Sequence, residues 1–415
     1  MTSGSEAHNL PSASDIIRVL FLNTRSALGA DVAVHLSLIR SLDPARVRAH
    51  VATNRNSADL ERTVELLKDS PHVPVRVVDL GAGSADGYGA AGNLGDAARN
   101  MRVAITLVRL AAYVRRNRID VIHAGDRPRD ALYSTILAKL TGRKHVIQVH
   151  IKWYPNIGRF PTMAMQRCDA VIAISEFTRR SFMEGGVPAD KIHVALNATD
   201  TNVFDPARIR RGTLRGRFGL ADDTPVVGVV GRVMLFKGQL ELIDALAVAR
   251  RSVPDLRLII VGLEDVMLGA GAESYRAQVQ RRIAEHGLEE SVFWAGWYDS
   301  VPEVMADLDV LAVPSWEEPF GLVVTEGMAM ERPVVSFRSG ALPEIICDGV
   351  DGLLVEPKDS EAMGRAIAGL LSDPERRKEM GARARRTVIE RFTPRRQAED
   401  VERVYRTILG RGWPA

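Results

Sequence analysis

The stretch SWEEPFGLVVTEGMA, residues 315–329, sets Glu317, Glu318 and Glu326 in otherwise apolar sequence. The preceding DVLAVPS reads as a strand and LVVTEGMAMER as a helix, so EEPFG is the loop between them. The backbone amides of Phe320, Gly321, Leu322 and Val323 then fall at a helix start, where unpaired N–H groups and the helix dipole favour a phosphate. Glu326, inside the helix, can accept two hydroxyl hydrogen bonds, as a ribose diol would offer, and Glu318 can accept from a sugar hydroxyl. The plain alternative is an acid complementing the helix dipole and another on a polar face; it leaves Glu326 among Thr, Gly and Met unexplained. A second constellation, GRVMLFKGQLELIDAL from Gly231, puts Arg232 and Lys237 either side of a tight turn, with Gly238 opening a helix. Two cations at a helix start make a site suited to a diphosphate. Two solvated side chains on a connecting loop would give the same pattern.

Glu318 and Glu326 also invite comparison with the acid pair of a glycoside hydrolase, whose carboxyls stand about 5 Å apart with retention or about 6.5–9.5 Å with inversion. Eight residues of continuous helix span roughly 12 Å, although a loop can bring Glu318 closer. Neither acid has an opposing partner in the sequence, and both lie beside phosphate-type sites, which makes a hydrolase the weaker reading. The glycine-rich GAGSADGYGAAGNLG, residues 81–95, follows a strand, but its third glycine falls at 87 rather than 86. The dinucleotide fingerprint therefore fails, which argues against a nicotinamide-dependent dehydrogenase.

Positioning these residues requires strands that end in loops. Short β-branched runs recur at 16–23, 47–53, 75–80, 119–124, 144–150, 169–175 and 191–196, with helical spacing between them. A second series follows at 224–232, 256–262, 291–296, 309–315, 332–337 and 352–357. Continuous apolar strands alternating with helices predict parallel sheets covered on both faces. At 415 residues the chain exceeds one ordinary domain. The expected fold is α/β, two Rossmann-like doubly wound domains facing a cleft, with chemistry in the loops after the strands. The polar, basic segment 203–223 is the expected linker. The predicted divisions are a disordered leader 1–15, an N-terminal domain 16–205, a C-terminal domain 206–392, and a final helix 393–415 packing back toward the N-terminal domain.

Composition bounds the remainder. Residues 1–210 hold 28 Lys and Arg against 20 Asp and Glu, and the remainder 27 against 32, so the net +3 conceals a basic first half. That half suits an anionic partner, a phosphorylated substrate or an acidic lipid surface. No run of five basic residues or nucleic-acid motif is present, so no nucleic-acid partner is expected. Neither a secretory signal nor a membrane span is recognisable, and the two cysteines, Cys168 and Cys347, are far apart. A reducing cytoplasm without a structural disulfide is the simpler expectation.

The motifs together resemble glycosyltransferase family 4, retaining enzymes of the GT-B fold. The resemblance rests on the two Glu separated by seven residues in EPFGLVVTE, the basic pair in GRVMLFKG, and RPVVSFRSGALPEIICDGVDGLLVEP. It extends more thinly through LGADVAVHLSLIRSL, IDVIHAGDRPRDA, VIAISEFTRRSF and GVPADKIHVALNATDTNVF. It implies that Arg232 and Lys237 bind the donor diphosphate and stabilise the leaving nucleotide, helped by the amides of Phe320–Val323. Glu326 would bind the ribose, Glu318 the donor sugar, Gly29 would let the backbone approach the phosphates, and the segment around Trp297 would meet the base. No metal or other cofactor is implied. Many members carry two histidines where this chain has His123 and Gly125; the resemblance makes His123 a candidate catalytic residue, although inside a strand it could as easily be core, and makes His150, or Asp126 with Arg127, the candidates for the missing imidazole.

The implied function is retaining transfer of a sugar from a UDP- or GDP-type donor to a hydroxyl acceptor, a lipid, a polysaccharide or a small molecule. A non-catalytic nucleotide-sugar-binding protein and a sugar phosphorylase or epimerase are the alternatives. In HIKWYPNIGRF, residues 150–160, Lys152, Trp153, Tyr154, Arg159 and Phe160 suit a peripheral membrane contact, an acceptor-stacking loop or ordinary packing. The expected location is cytoplasmic, with peripheral contact at the inner face of the membrane.

Overall fold

The computed structural model describes residues 15–24, 30–57, 60–68, 70–81, 97–264 and 274–412. The leader and most of the glycine-rich loop lie outside the described residues. The strands, in chain order, are β1 (Ile17–Asn23), β2 (Val47–Asn54), β3 (Val75–Val78), β4 (Val121–Gly125), β5 (Lys144–Val149), β6 (Ala170–Ala173) and β7 (Ile192–Val194). A second series gives β8 (Val226–Val230), β9 (Arg257–Val261), β10 (Val292–Gly296), β11 (Val310–Val313), β12 (Val334–Phe337) and β13 (Leu353–Val355). Every strand lies inside a run expected from the sequence or within a residue of it. Their side chains are mostly Val, Ile, Leu and Ala, and every residue of β4, β6, β11 and β12 is buried. Burial on both faces explains the unbroken apolar runs, and β-branched residues suit the pleated backbone.

The strands form two all-parallel sheets, ordered β3-β2-β1-β4-β5-β6-β7 and β10-β9-β8-β11-β12-β13. In each sheet the order reverses direction once, between β1 and β4 in the first and between β8 and β11 in the second. Neighbouring strands there send their connections to opposite faces, and the gap beyond their carboxyl ends is where such sheets bind ligands.

The chain divides into two compact units. One holds Met1–Leu196 and Pro394–Ala415, the other Asn197–Thr393. In the first unit, one face of the sheet carries a core with Ile17, Val19, Phe21, Leu36, Leu38 and Val121, and the other a core with Leu20, Leu22, Leu107, Leu110 and Val114. The final helix, Pro394–Leu409, places Ala398, Val401, Val404 and Tyr405 in the former core. Its Glu402 meets Arg46 at 3.2 Å.

The segment 203–223 is not a linker. Its turn bonds Phe204 N–H to Asp200 carbonyl (2.9 Å), and Arg385 donates to the Phe204 carbonyl (2.8 Å) and to Asp205 (3.2 Å). Arg215, only 1 % exposed, donates to the Asp307 carbonyl at 3.0 Å and to Asp309 at 2.8 Å. Polar, basic residues look like a linker in sequence, yet here they satisfy buried carboxylates and carbonyls of the second unit. No described helix is long and apolar enough to cross a membrane.

Candidate functional site

In the second unit, three connections meet at the carboxyl ends of β8, β11 and β12. After β8 the chain turns through Arg232 and the 3₁₀ turn Leu235–Lys237 to Gly238, which caps the helix Gln239–Ala249. Gly238 has φ +68°, and a Cβ there would lie 2.0 Å from the Pro314 carbonyl oxygen, so only glycine lets this turn lie against the end of β11. After β11, the Trp316 amide donates to the Phe236 carbonyl (2.9 Å), and its indole N–H donates to Glu241 (2.9 Å). Lys237 Nζ meets Glu318 Oε2 at 2.6 Å, closing a second tie between the same two loops. The connection after β12 supports Glu318 from behind: the Ala341 amide donates to its carbonyl (2.9 Å), and Gly340 packs so closely that a Cβ would come within 2.3 Å of the same oxygen.

The helix Leu322–Ala329 starts from Gly321, whose φ of +98° turns the chain out of the loop. The amides of Gly321, Leu322 and Val323 donate to no acceptor among the described residues, so they remain available to an anion. Phe320 is buried, its ring edge-on to Phe392 at 5.9 Å, and it offers a ligand only its backbone. Glu326 sits one turn further on. It keeps some exposure, but its carboxyl has no hydrogen-bond or ion-pair partner among the described residues, and burial pushes its pKa up to about 7. An unpartnered carboxyl beside free amides is costly in the empty protein and is satisfied by a ligand that brings hydroxyl groups. Arg232 is exposed on the adjoining loop. Trp297, just after β10, is 64 % exposed, its indole N–H held by Asp299 at 2.9 Å. The structure thus brings Lys237, Glu318, Gly321 and the 322–326 turn into one constellation.

In the first unit, Gly29 lies outside the described residues. His150 follows β5 directly; its amide donates to the buried Asp126 Oδ2 at 2.9 Å. Its Nε2 stands 3.2 Å from Nε2 of His35, on the helix Ala30–Ser41. A Cβ on Gly125 would lie 3.8 Å from the His35 ring, so that ring borders the space a side chain at 125 would enter. His123 is different. It is fully buried, stacked on Phe21 (centroids 4.8 Å apart), and its Nδ1 shares a 2.6 Å hydrogen bond with the Tyr405 hydroxyl. Burial, reinforced by His35 and His150, holds its pKa well below the ordinary value, so the ring is neutral. A ring sealed in this way reaches no substrate, and the direct catalytic role expected of His123 gives way to a structural one. Sequence reading missed His35 and Tyr405. His35 falls within an unremarkable amphipathic helix and Tyr405 some 280 residues beyond its partner, as their contact separation of 282 shows.

Of the three readings of the segment 150–160, the structure agrees with ordinary packing. It contains a 3₁₀ turn, Pro155–Ile157, and the start of the helix Arg159–Arg167. Trp153, Tyr154 and Phe160 pack against the core around Ile147, Ile157 and Phe182, because the strand end leaves that apolar surface uncovered. Among the described residues, no group of three His, Cys, Asp or Glu side chains is placed to hold a metal ion.

Two family models match the chain: Glycosyltransferase Family 4 over residues 32–203 and Glycosyl transferases group 1 over residues 211–387. The chain is 32% identical over 258 residues to the alpha-maltose-1-phosphate synthase of Mycolicibacterium smegmatis, covering 59% of this chain and 65% of that protein. It is 27% identical over 298 residues to the alpha-D-kanosaminyltransferase of Streptomyces kanamyceticus, covering 67% and 74%. The match thus spans just under two thirds of the first of these relatives. Among solved structures, Anabaena HepE in complex with UDP superposes with a TM-score of 0.74 at 24% identity, covering 94% of this chain and 100% of that one. At this identity the likeness concerns the fold.

Proposed function

The chain belongs to glycosyltransferase family 4, and from that membership we propose that it moves a sugar from a nucleotide-sugar donor to a hydroxyl acceptor, with retention at the anomeric carbon. The observation that carries the proposal is the Glu326 carboxyl, without a partner among the described residues, on the helix whose starting amides are open and whose preceding loop holds Glu318 against Lys237. The donor diphosphate would take the amides of Gly321–Val323 with Arg232 and Lys237, its ribose would take Glu326, and its sugar Glu318. HepE is described with UDP and with UDP-glucose, which supports a UDP-type donor, and a GDP-type donor is the other candidate. Trp297 is assigned to the nucleobase end.

In the reaction proposed, the bond from the anomeric carbon to the leaving phosphate oxygen breaks. The acceptor oxygen bonds to the same face of that carbon, and its proton passes to the departing phosphate. Negative charge grows on the diphosphate, and Arg232, Lys237 and the helix amides stabilise it, so no metal is required. Engaging the diphosphate draws Lys237 from Glu318, which frees that carboxylate for the sugar. The imidazole role is assigned to His150, backed by His35. The acceptor is a hydroxyl compound of a cytoplasmic enzyme that touches a membrane peripherally.

Thermal shift against UDP-, GDP- and ADP-sugars identifies the donor, since bound ligand stabilises by mass action. Arg232→Ala and Lys237→Ala should each lower kcat on the order of 100–1,000-fold with smaller effects on donor binding. Near-normal turnover in both would end the assignment. One observation, Gly125 where many members have histidine, favours a non-catalytic nucleotide-sugar-binding protein. Donor binding with neither transfer nor donor hydrolysis would establish that reading instead.

A further inference from the structure

We infer that the outward face of the helix Ala97–Arg116 is an interfacial contact for an anionic lipid surface. This deepens the peripheral-contact part of the proposed function, and it is tested without sugar transfer, so the two can fail separately. The helix is twenty residues long, AARNMRVAITLVRLAAYVRR, with five arginines and no acid. At about 100° per residue, Val103, Leu107, Leu110 and Val114 share one stripe, and all four are buried against the sheet. Met101, Ile105, Val108 and Ala112 fall within about 60° of arc on the far side. Met101 is 63 %, Ile105 45 % and Val108 63 % exposed. Arg102, Arg109 and Arg116 form an exposed stripe immediately beside them. Arg115 donates to the carbonyl of Leu140, which with Lys139 extends the exposed apolar and basic surface at the end of the neighbouring helix Pro128–Thr141.

A water-facing helix surface normally carries polar residues where this one carries Met, Ile and Val. Apolar side chains flanked by arginines, on a helix not hydrophobic enough to span, are the pattern of a helix lying in a bilayer interface. The charge chooses among occupants. A second copy docked face to face would set arginine stripe against arginine stripe, whereas anionic headgroups complement every one of them. The aromatic residues of 150–160 pack inward and leave this helix as the surface suited to the role.

The test is co-sedimentation of the full chain with phosphatidylglycerol-containing and with pure phosphatidylcholine vesicles, across a salt series. Binding to the anionic vesicles only, weakening as salt rises, is expected. Arg102→Glu/Arg109→Glu/Arg116→Glu should lower partitioning on the order of a hundredfold or more. Met101→Ser/Ile105→Ser/Val108→Ser should lower it about tenfold or more. Both variants should keep the parental Tm. No binding by the parent, equal binding to both vesicles, or unchanged binding by the charge-reversed variant would overturn the inference. So would a solution dimer that the serine variant abolishes, or a marked fall in that variant's Tm, which would mean the stripe is covered within the protein itself.

Discussion

The Glu326 carboxyl has no hydrogen-bond or ion-pair partner among the described residues, and burial raises its pKa from 4.5 to about 7. A carboxyl raised in the folded state contributes stability that is fully present below its unfolded pKa and is lost as pH rises through about 7. Glu326→Gln should therefore match the parent near pH 5 and exceed it above pH 7, by about 1–3 kcal/mol in the ligand-free protein. Donor binding should respond in the opposite sense, because the diol wants the ionised acceptor: the parent's affinity rises through pH 7 and the variant's stays flat and weak. Melting curves at both pH values, with and without donor, check this; a stability gap independent of pH would mean that ionisation is not its cause. The seven-residue spacing of Glu318 and Glu326 was legible in sequence because one loop and one helix hold both. The Lys237–Glu318 pair was not, since two strands must become neighbours before residues 81 apart can meet.

At the scale of elements, the constellation depends on connections lying tightly against strand ends. Gly238→Ala should destabilise the protein by about 2–4 kcal/mol, from a left-handed residue that must now carry a Cβ and a 2.0 Å approach to the Pro314 carbonyl. It should also weaken the donor-induced thermal shift, because the turn carrying Lys237 would have to move. Gly369→Ala serves as the comparison: it lies in the helix Ser360–Ser372 with nothing within 4 Å of an added Cβ, and should be neutral or stabilising by up to about 1 kcal/mol. Equal unfolding midpoints for the two variants would contradict this account. Elements were the most legible level, because strands buried on both faces show themselves as apolar runs of Val and Ile. The boundary near 203–223 was misread for the complementary reason. Arg215 is polar in sequence, but buried carboxylate and carbonyl acceptors make it a core residue.

For the whole molecule, the division into units shows that the last helix is a component of the first unit's core. Truncation after Thr393 removes Ala398, Val401, Val404 and Tyr405 from that core and should cost the first unit roughly 5 kcal/mol or more. Hydrogen exchange should then show protection lost across β1–β7 and retained across β8–β13; uniform retention would refute the expectation. The chain leaves the first unit at Leu196 and returns to it only at Pro394. On the ribosome this imposes an order of events. Asn197–Thr393 can emerge and fold as a continuous piece, while the earlier-made strands must wait, lacking one wall of their core, until Pro394–Leu409 has been made. Tyr405 reaches His123 only after the whole of the second unit has been made, so a message interrupted before that point yields a protein whose first-made part is the part left unfinished.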